Sequence, residues 1–249
     1  MEWEAAAVSD AARYGDEFAD VYDRWYGSDG DTGDAVSLLA SLAAGGPVLE
    51  LGAGTGRIAI PLAERGLAVV GVDASPAMLE RLAHKPGGEL VSCVLADMTA
   101  LDAGGDERTR GPFAVIVIAR NTIFNVADAA AGRRCMAGAA SRLAPGGALV
   151  IEADVPNRTA PAEGREVRPR PGGGEVVISW RHDRHVQRVS GQTLDGRGRV
   201  RHWDVRYSPP EELDEWAVAA GLHLEQRWAG WSRTPARPGF ARHVSVYRS

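Results

Sequence analysis

Cysteine is scarce in this chain, long apolar runs are missing, and its first residues show no targeting pattern. Only Cys93 and Cys135 occur among 249 residues, which argues against a disulfide scaffold and favours a reducing compartment. No run reaches the ~20 apolar residues that a membrane span needs. The opening Met-Glu-Trp-Glu-Ala-Ala-Ala has neither the basic nor the apolar region of a signal peptide. We therefore expect a cytoplasmic protein that enters no membrane.

A basic excess is also missing. The net charge is −5, with 33 acidic against 28 basic residues. Nucleic acids and anionic membranes are bound through basic patches, so neither is an expected partner. Hydrophobic residues make up 45% of the chain, which is enough for one large core, alone or with a substantial insertion.

Glycine, in contrast, is concentrated where it is most informative. The segment Val48-Leu-Glu-Leu-Gly-Ala-Gly-Thr-Gly-Arg57 is an apolar run followed by a glycine loop, and a helix pattern comes next. A second apolar run over 67–72 ends at Asp73. Such a loop lets a ligand approach bare backbone at a helix N-terminus, and an acid at the next strand end can hold a ribose. The pattern predicts a nucleoside-binding βαβ unit.

The spacing of the glycines distinguishes a dinucleotide site from a site for another nucleoside-containing cofactor. A dinucleotide fingerprint is G-x-G-x-x-G with an acid about 20 residues on. Here Gly52, Gly54 and Gly56 form G-x-G-x-G, and Glu50 precedes them. A carboxylate in that place repels a pyrophosphate and attracts an ammonium group. A ligand with an amino-acid end and a nucleoside end, S-adenosylmethionine, suits Glu50 and Asp73 together. A nicotinamide-dependent oxidoreductase shares the fold and the ribose acid and is the alternative.

Four segments, in order, resemble the class I S-adenosylmethionine-dependent methyltransferases of the small-molecule branch. They are Glu50–Gly56, Val72–Met78, Leu95–Met98 and Leu143–Glu152, within about residues 46–155. The resemblance implies a Rossmann-like, doubly wound, mostly parallel seven-stranded α/β sheet. It also implies methyl transfer from S-adenosyl-L-methionine, leaving S-adenosyl-L-homocysteine, to an N or O atom of a small-molecule acceptor such as a secondary metabolite. A repurposed member, acting as a cyclase or a partner subunit, stays open.

The order of strand and helix patterns divides the chain into four parts. The parts are a helical cap (1–45), a cofactor-binding α/β core (46–155), an antiparallel β insertion that serves as acceptor lid (156–207), and a C-terminal helix with the last two strands (208–249). Strands that alternate with helices predict the parallel sheet. Within the cap, residues 8–26 are predicted to form an aromatic helix, and within the insertion residues 156–174 are predicted to be a loop. The insertion is also a candidate homodimer contact.

Ligands of doubly wound sheets bind beyond the carboxyl ends of the strands. Glu50 is expected to meet the cofactor ammonium and Asp73 the ribose hydroxyls, and the resemblance implies that Asp97 accepts from the adenine amino group. A turn role for Asp97 and core packing for Met78 are the structural alternatives. The other residues of the expected cofactor site are Tyr14, Tyr22, Gly52, Ala53, Gly54, Arg57, Ala74, Met78, Met98 and Arg120.

The sequence gives fewer indications of which residues bind the methyl acceptor. The resemblance places Asn121 under the transferred methyl group, with Asn125 able to orient a polar acceptor. A hydroxyl acceptor profits from a base with a pKa near 7, and His is the usual choice. No motif fixes that base, and His185 and His243 are the candidates. Further acceptor candidates are Arg184, Trp231 and Arg233, for which surface or packing roles are equally open.

The run Arg181-His-Asp-Arg-His185 invites a metal hypothesis, which we do not favour. His182 and His185 are predicted to stand on a strand at odd spacing, so they point to opposite faces. A metal site needs three or four convergent ligands.

Overall fold

A computed structural model describes residues 11–27, 30–101, 105–157, 159–171 and 174–249 of the protein. The strands are β1 (Val48–Leu51), β2 (Val69–Asp73), β3 (Val91–Leu95), β4 (Phe113–Ile118), β5 (Leu143–Asp154), β6 (Glu163–Pro169), β7 (Glu175–Asp183), β8 (Arg188–Asp195), β9 (Val200–Arg206), β10 (His223–Trp228) and β11 (Arg242–Arg248). The helices are α1 (Arg13–Phe18), α2 (Tyr22–Tyr26), α3 (Thr32–Ala43), α4 (Ala59–Glu64), α5 (Pro76–Ala83), α6 (Ala129–Ala140) and α7 (Pro210–Ala219).

A seven-stranded sheet forms the core, in the order β10-β11-β5-β4-β1-β2-β3. The strands β3, β2, β1, β4 and β5 pair in parallel, while β11 runs antiparallel to both β5 and β10. Every residue of β1 is buried, as expected for a parallel strand that is covered on both faces. The predicted doubly wound sheet with one antiparallel strand is confirmed.

Helices cover the two faces of this sheet. On one face α3, α4 and α5 pack on alternate strand residues such as Val48 and Val115. On the other face α6 and α7 pack on the intervening residues, such as Leu49 and Ile116. A side chain at Gly132 would lie 2.2 Å from the ring of Trp216, so α6 and α7 are in close contact. Within the described part of the chain, no helix is both long and apolar enough to span a bilayer.

Two helix boundaries differ from the sequence prediction. The helix expected over 8–26 is two short helices, α1 and α2, separated by a turn, and residues 8–10 lie outside the described part. The helix expected directly after the glycine loop begins at Ala59, because Gly54 and Gly56 adopt positive φ angles of 56° and 85° and keep the chain in the loop. Ser75 caps α5, since its hydroxyl accepts the backbone N–H of Met78 at 3.1 Å.

The insertion forms a separate antiparallel sheet in the order β6-β7-β8-β9. The prediction of a loop over 156–174 was wrong for β6, which pairs with β7 along its length. Gly164, Trp180, Gly191 and Trp203 stand opposite one another across the four strands. A side chain at either glycine would collide with the indole of the neighbouring tryptophan. The glycines therefore make room for two indole rings that lie across adjacent strands.

Aspartates of the cap bind it to the core near the glycine loop. Asp16 accepts the hydroxyl of Ser75 at 2.5 Å, which joins α1 to the start of α5. Asp23 accepts from Lys85 Nζ and from the hydroxyl of Thr55, both at 2.6 Å. Because Thr55 belongs to the glycine loop, α2 is connected directly to the loop.

Two further aspartates connect the cap to the insertion and to the last strand. Asp20 accepts from Arg199 and Arg201 of the insertion, both at 2.8 Å, and Arg201 is 1% exposed. Asp31 binds Arg242 of β11 at 2.8 Å. The cap is thus attached to the parallel core, to the insertion and to the last strand.

Replacing Gly191 by alanine is expected to lower the free energy of unfolding by about 2 kcal/mol, the usual cost of overpacking. The added Cβ would lie 2.5 Å from both the carbonyl oxygen of Ser179 and the ring of Trp203. Gly196→Ala is the matched control, because the nearest atom there is 3.9 Å away. Urea denaturation measures both variants, and equal stabilities would show that the Gly191 contact is not tight.

Candidate active site

A cavity of about 1070 Å³ lies between the carboxyl ends of the parallel strands, the cap and the inner face of the insertion sheet. Small-molecule sites usually measure about 300–1,000 Å³, so this cavity has room for two small ligands. Twelve of the residues proposed from sequence line it, namely Tyr14, Tyr22, Gly52, Gly54, Asp73, Ala74, Met78, Asp97, Met98, Arg120, Asn121 and Asn125.

The glycine loop brings bare backbone to the cavity wall. Gly52 has a φ of +76°, and a Cβ there would lie 2.2 Å from the methyl carbon of Thr122. Gly54 has a φ of +56°, and a Cβ there would meet no atom within 4 Å. Gly52 therefore lets two core loops touch, whereas Gly54 leaves open space where a ligand can approach the chain.

Asp73, at the end of β2, is held in place by backbone groups. Its Oδ2 accepts the N–H of Gly54 at 2.8 Å, and its Oδ1 accepts the N–H of Ser75 at 2.9 Å. Burial raises the pKa of Asp73, and the two N–H bonds oppose that shift. Each carboxylate oxygen has a further lone pair, so Asp73 can still accept from two vicinal hydroxyls.

Glu50 is buried, and within the described ranges its Oε2 has no hydrogen-bond partner. It does not line the cavity. Desolvation raises its pKa from the ordinary 4.5 to about 8, opposed by the nearby Arg57 charge and by a bond from the Ala59 backbone. The folded protein thus loses stability as pH rises from about 4.5 to 8, because the unfolded state gives up this proton in that window while the folded state still holds it. A cation, directly or through a water, would relieve this cost.

Arg57 is engaged with the cap and with β5. Its guanidinium lies 3.5 Å from Asp31 and 3.6 Å from Glu152. Glu152 also accepts the backbone N–H of Arg120 at 3.0 Å and pairs with Arg242 at 3.1 Å. Arg57 does not line the cavity, and neither does the buried Ala53. The structure therefore gives Arg57 a connecting position beside the site.

Asp97 lies in the loop that follows β3, on the cavity wall. Both the N–H and the hydroxyl of Thr99 donate to its Oδ1, each at 2.8 Å. These bonds fix the carboxylate and leave Oδ2 available to accept from a ligand amine. Met78 is 3% exposed and also borders the cavity, so it packs in the core and faces the ligand space.

The segment after β4 adopts an uncommon backbone. Arg120 and Asn121 are consecutive non-glycine residues with φ of 56° and 61°. Such conformations are strained and are found preferentially at functional sites. The Asn121 amide donates to Asp154 Oδ2 at 2.8 Å and accepts the Asp154 backbone N–H at 2.6 Å. Asn125, one turn later, borders the cavity as well.

Aromatic side chains of the cap form the wall opposite the strand ends. The rings of Tyr14 and Phe18 stack with centroids 4.8 Å apart, and those of Tyr22 and Tyr26 lie 5.1 Å apart. Burial raises the pKa of both Tyr14 and Tyr22. Their phenols are therefore neutral at physiological pH and can act as hydrogen-bond donors or acceptors.

The two candidate histidines do not reach the cavity. His185 lies in the exposed turn between β7 and β8, not on a strand. His243 is buried on β11 with its Nδ1 2.8 Å from the Ser245 hydroxyl. Burial lowers the pKa of His243 to about 4, with the Arg227 charge adding to the effect. Neither residue is placed to take a proton from an acceptor in this cavity.

The remaining acceptor candidates also lie outside it. Trp231 is fully buried in the core, and Arg233 is exposed in a turn. Arg184 is exposed and donates to the carbonyl of Ala160. The structure instead uses one face of the insertion sheet, which sequence reasoning missed. Its lining residues are Glu166, Arg168, Ile178, Trp180, Val189, Thr193, Trp203 and Val205.

Comparisons with known proteins identify the family of the chain. A family model described as a methyltransferase domain matches residues 48–147. The solved structure of the CcbJ methyltransferase from Streptomyces caelestis is 35% identical, covers 97% of this chain and 99% of its own, and has a TM-score of 0.86. The chain belongs to the class I S-adenosylmethionine-dependent methyltransferases. Its cofactor is S-adenosyl-L-methionine, and the matches do not support the nicotinamide-dependent alternative.

Two further relatives of this methyltransferase are more distant. The cypemycin N-terminal methyltransferase from a Streptomyces species is 29% identical over 82% of this chain and 80% of that protein. A methyltransferase from Clostridium acetobutylicum is 15% identical, with a TM-score of 0.75 over 94% of this chain and 98% of its own. The second likeness shows the fold alone.

The cavity of this methyltransferase fits its cofactor. The unpartnered Glu50 oxygen suits the ammonium group, the spare lone pairs of Asp73 suit the ribose, and the open space at Gly54 suits close backbone approach. Asp97 has one oxygen left for the adenine amine. Gly54, Asp73 and Asp97 lie at or just after the carboxyl ends of three neighbouring strands, so a single extended ligand can contact all three. Glu50 lies behind the cavity wall, one position before the end of β1, where it can act on the ammonium group directly or through a water.

Asp73→Ala is expected to weaken binding of S-adenosylhomocysteine by tenfold or more, since about two charge-assisted hydrogen bonds are lost. Glu80→Ala is the control, because Glu80 is an exposed carboxylate on the helix that follows. Isothermal titration measures both variants. Unchanged affinity in Asp73→Ala would remove Asp73 from the ribose site.

Binding of S-adenosylhomocysteine at neutral pH is expected to release close to one proton. Glu50, whose pKa is about 8 in the free protein, is largely protonated there, and an ammonium group beside it favours the charged form. Titrations in two buffers with different ionisation enthalpies measure the release. Glu50→Gln should abolish the release, and Glu64→Gln, an exposed change on α4, should keep it. Equal release from both variants would contradict a role for Glu50.

Proposed function

We propose that this methyltransferase N-methylates an amine of a small molecule in secondary metabolism. The observation that carries the proposal is the chemistry of the cavity wall. None of the chain's six histidines, all of them in the described part, is among the residues that line the cavity. A hydroxyl acceptor profits from a base with a pKa near 7, whereas a neutral amine already offers a lone pair.

The cofactor supplies a methyl group that its sulfonium has already activated. The protein's task is then to hold the acceptor nitrogen about 3 Å from that carbon and in line with the bond that breaks. Glu50, Asp73 and Asp97 fix the cofactor in this proposal, so that its methyl group faces the cap. Correct placement alone lowers the barrier by several kcal/mol, because the acceptor and the methyl group no longer have to find each other.

Neutral phenols and amides surround the proposed position of the acceptor nitrogen. Tyr14 and Tyr22 line the cavity from the cap, and Asn121 and Asn125 line it from the loop after β4. A neutral phenol oxygen or amide oxygen can accept an N–H of the amine and turn its lone pair towards the methyl group. Asn121 is fixed by Asp154 on two sides, so its orientation is set before the acceptor binds.

The insertion sheet forms the acceptor lid in this proposal. Its inner face presents the rings of Trp180 and Trp203 with Ile178 beside them, which suits the apolar face of a ring-shaped acceptor. The cavity is bounded by cap, core and lid together, so a compact small molecule fits better than a polymer. The relative that acts on the N-terminus of cypemycin supports nitrogen as the target atom.

Matched pairs of small amines and alcohols test the proposal in an assay with radiolabelled S-adenosylmethionine. We expect methyl transfer to amines and none to the corresponding alcohols. His185→Gln and His243→Gln are expected to leave the pH dependence of kcat/KM unchanged, because neither side chain lines the cavity.

Two outcomes would contradict the proposal. Preferred methylation of an alcohol would make the enzyme an O-methyltransferase. Cofactor binding with no transfer to any member of a diverse acceptor set would favour the repurposed alternative, a cyclase or a partner subunit.

A further inference from the structure

Arg170 is held in the cavity in an unusual way. It follows β6 and lines the cavity, and its guanidinium lies over two rings of the cap, 4.9 Å from the centroid of Trp25 and 5.2 Å from that of Tyr26. Its Nε is buried and has no hydrogen-bond partner among the residues that the structure describes. The aromatic contacts cover the flat faces of the group and leave the Nε–H without an acceptor in the described part of the chain.

Neighbouring arginines of the same wall are paired with carboxylates. Arg168 lies 2.6 Å from Glu166, and Arg188 lies 2.5 Å from Asp204. Across the described residues, no carboxylate lies within ion-pair distance of Arg170. Arg168 has a carboxylate partner and Arg170 has none among the described residues, although the two are only two positions apart on the same segment.

An unpaired guanidinium in a partly closed cavity is an anion-binding group. Burying an N–H donor without an acceptor is costly, and the cost disappears when a ligand supplies the acceptor. A guanidinium presents its donors in a plane, and a carboxylate matches that plane with two parallel hydrogen bonds. Arg120, whose guanidinium lies 5.5 Å from the centroid of the same Tyr26 ring, adds a second positive charge nearby.

The position of Arg170 favours the acceptor over the cofactor. The groups suited to the cofactor, Glu50, Asp73 and Asp97, lie at or just after strand ends of the parallel core. Arg170 belongs to the insertion, whose inner face forms the opposite wall. A carboxylate bound there would lie beside the rings of Trp25 and Tyr26 rather than at the glycine loop.

We propose that Arg170 binds a carboxylate of the acceptor, so that the substrate is an amine that also carries a carboxylate group. The proposal rests on the proposed amine methylation and narrows its substrate class. Trp25 and Tyr26 hold the guanidinium flat, and the insertion sheet packs on the body of the acceptor. The carboxylate thereby sets which end of the molecule faces the methyl group.

Two fluorinated probes of equal shape test this role without methyl transfer. They are para-fluorophenylacetate and its neutral amide, para-fluorophenylacetamide, titrated by fluorine NMR into protein saturated with S-adenosylhomocysteine. We expect the carboxylate to bind about tenfold more tightly than the amide, as one charge-assisted pair provides. Arg170→Gln should abolish the preference, and Arg170→Lys, which keeps the charge but not the fork, should retain part of it.

Arg165→Gln is the matched control. Arg165 is exposed on the same strand, β6, at odd spacing from the cavity-lining Arg168, and thus faces away from the cavity. This variant should keep the full preference. Equal binding of the two probes by the unmodified protein, no binding of the carboxylate, or a preference that survives Arg170→Gln would each overturn the proposal.

Affinity for S-adenosylhomocysteine separates this proposal from the one on which it rests. We expect Arg170→Gln to bind it as tightly as the unmodified protein does. A tenfold loss would instead assign Arg170 to the cofactor carboxylate and overturn the acceptor role. Failure of amine methylation with an intact probe preference would reject the proposed function and leave the anion site standing.

Discussion

The site depends on the bonds that the Asp73 carboxylate makes to two backbone N–H groups, one in the glycine loop and one at the start of α5. Those bonds fix the ends of β1 and β2 relative to each other before any ligand arrives. The loop can then keep its positive φ angles, and α5 can begin at Ser75. An acid that orders the backbone while retaining lone pairs towards the cavity is preorganised for a ribose.

Within the part of the chain that the structure describes, the charged groups that lack a partner near the cavity are acidic in the core and basic in the insertion. Towards the core, carboxylates are left with an unsatisfied oxygen, most clearly at Glu50. Towards the insertion, the cavity-lining group with an unsatisfied donor among the described residues is the guanidinium of Arg170. Buried polar atoms without partners are few in folded proteins, so each one here has a measurable cost. The protein accepts that cost in the core and again in the insertion, which suits ligands that bring a cation to one place and an anion to the other.

The sequence predicted the core well, and it directed attention to Gly54, Asp73 and Asp97, which border the cavity, because both depend on short-range signals. Alternating strands and helices fixed the sheet, and the glycine spacing with Asp73 fixed its ligand edge. Three features escaped it. β6 was missed because Gly164 and Pro169 read as loop residues until β7 pairs with them. In the insertion strands, alternate residues point to the same face of the sheet, but only the fold shows which of the two faces lines the cavity. His185 and His243 were chosen by residue type alone, and the exposure of one and the burial of the other depend on long-range packing.

The aspartates of the cap have a consequence for how ligands come and go. Asp16 and Asp23 join the cap to the cofactor side, while Asp20 joins it to the insertion. Any movement that uncovers the nucleoside therefore also strains the contacts of the acceptor wall. We expect the two products to leave through one shared opening step, in which several ion pairs break together. Turnover that is limited by that step would accelerate as ionic strength rises, since exposed ion pairs weaken with screening.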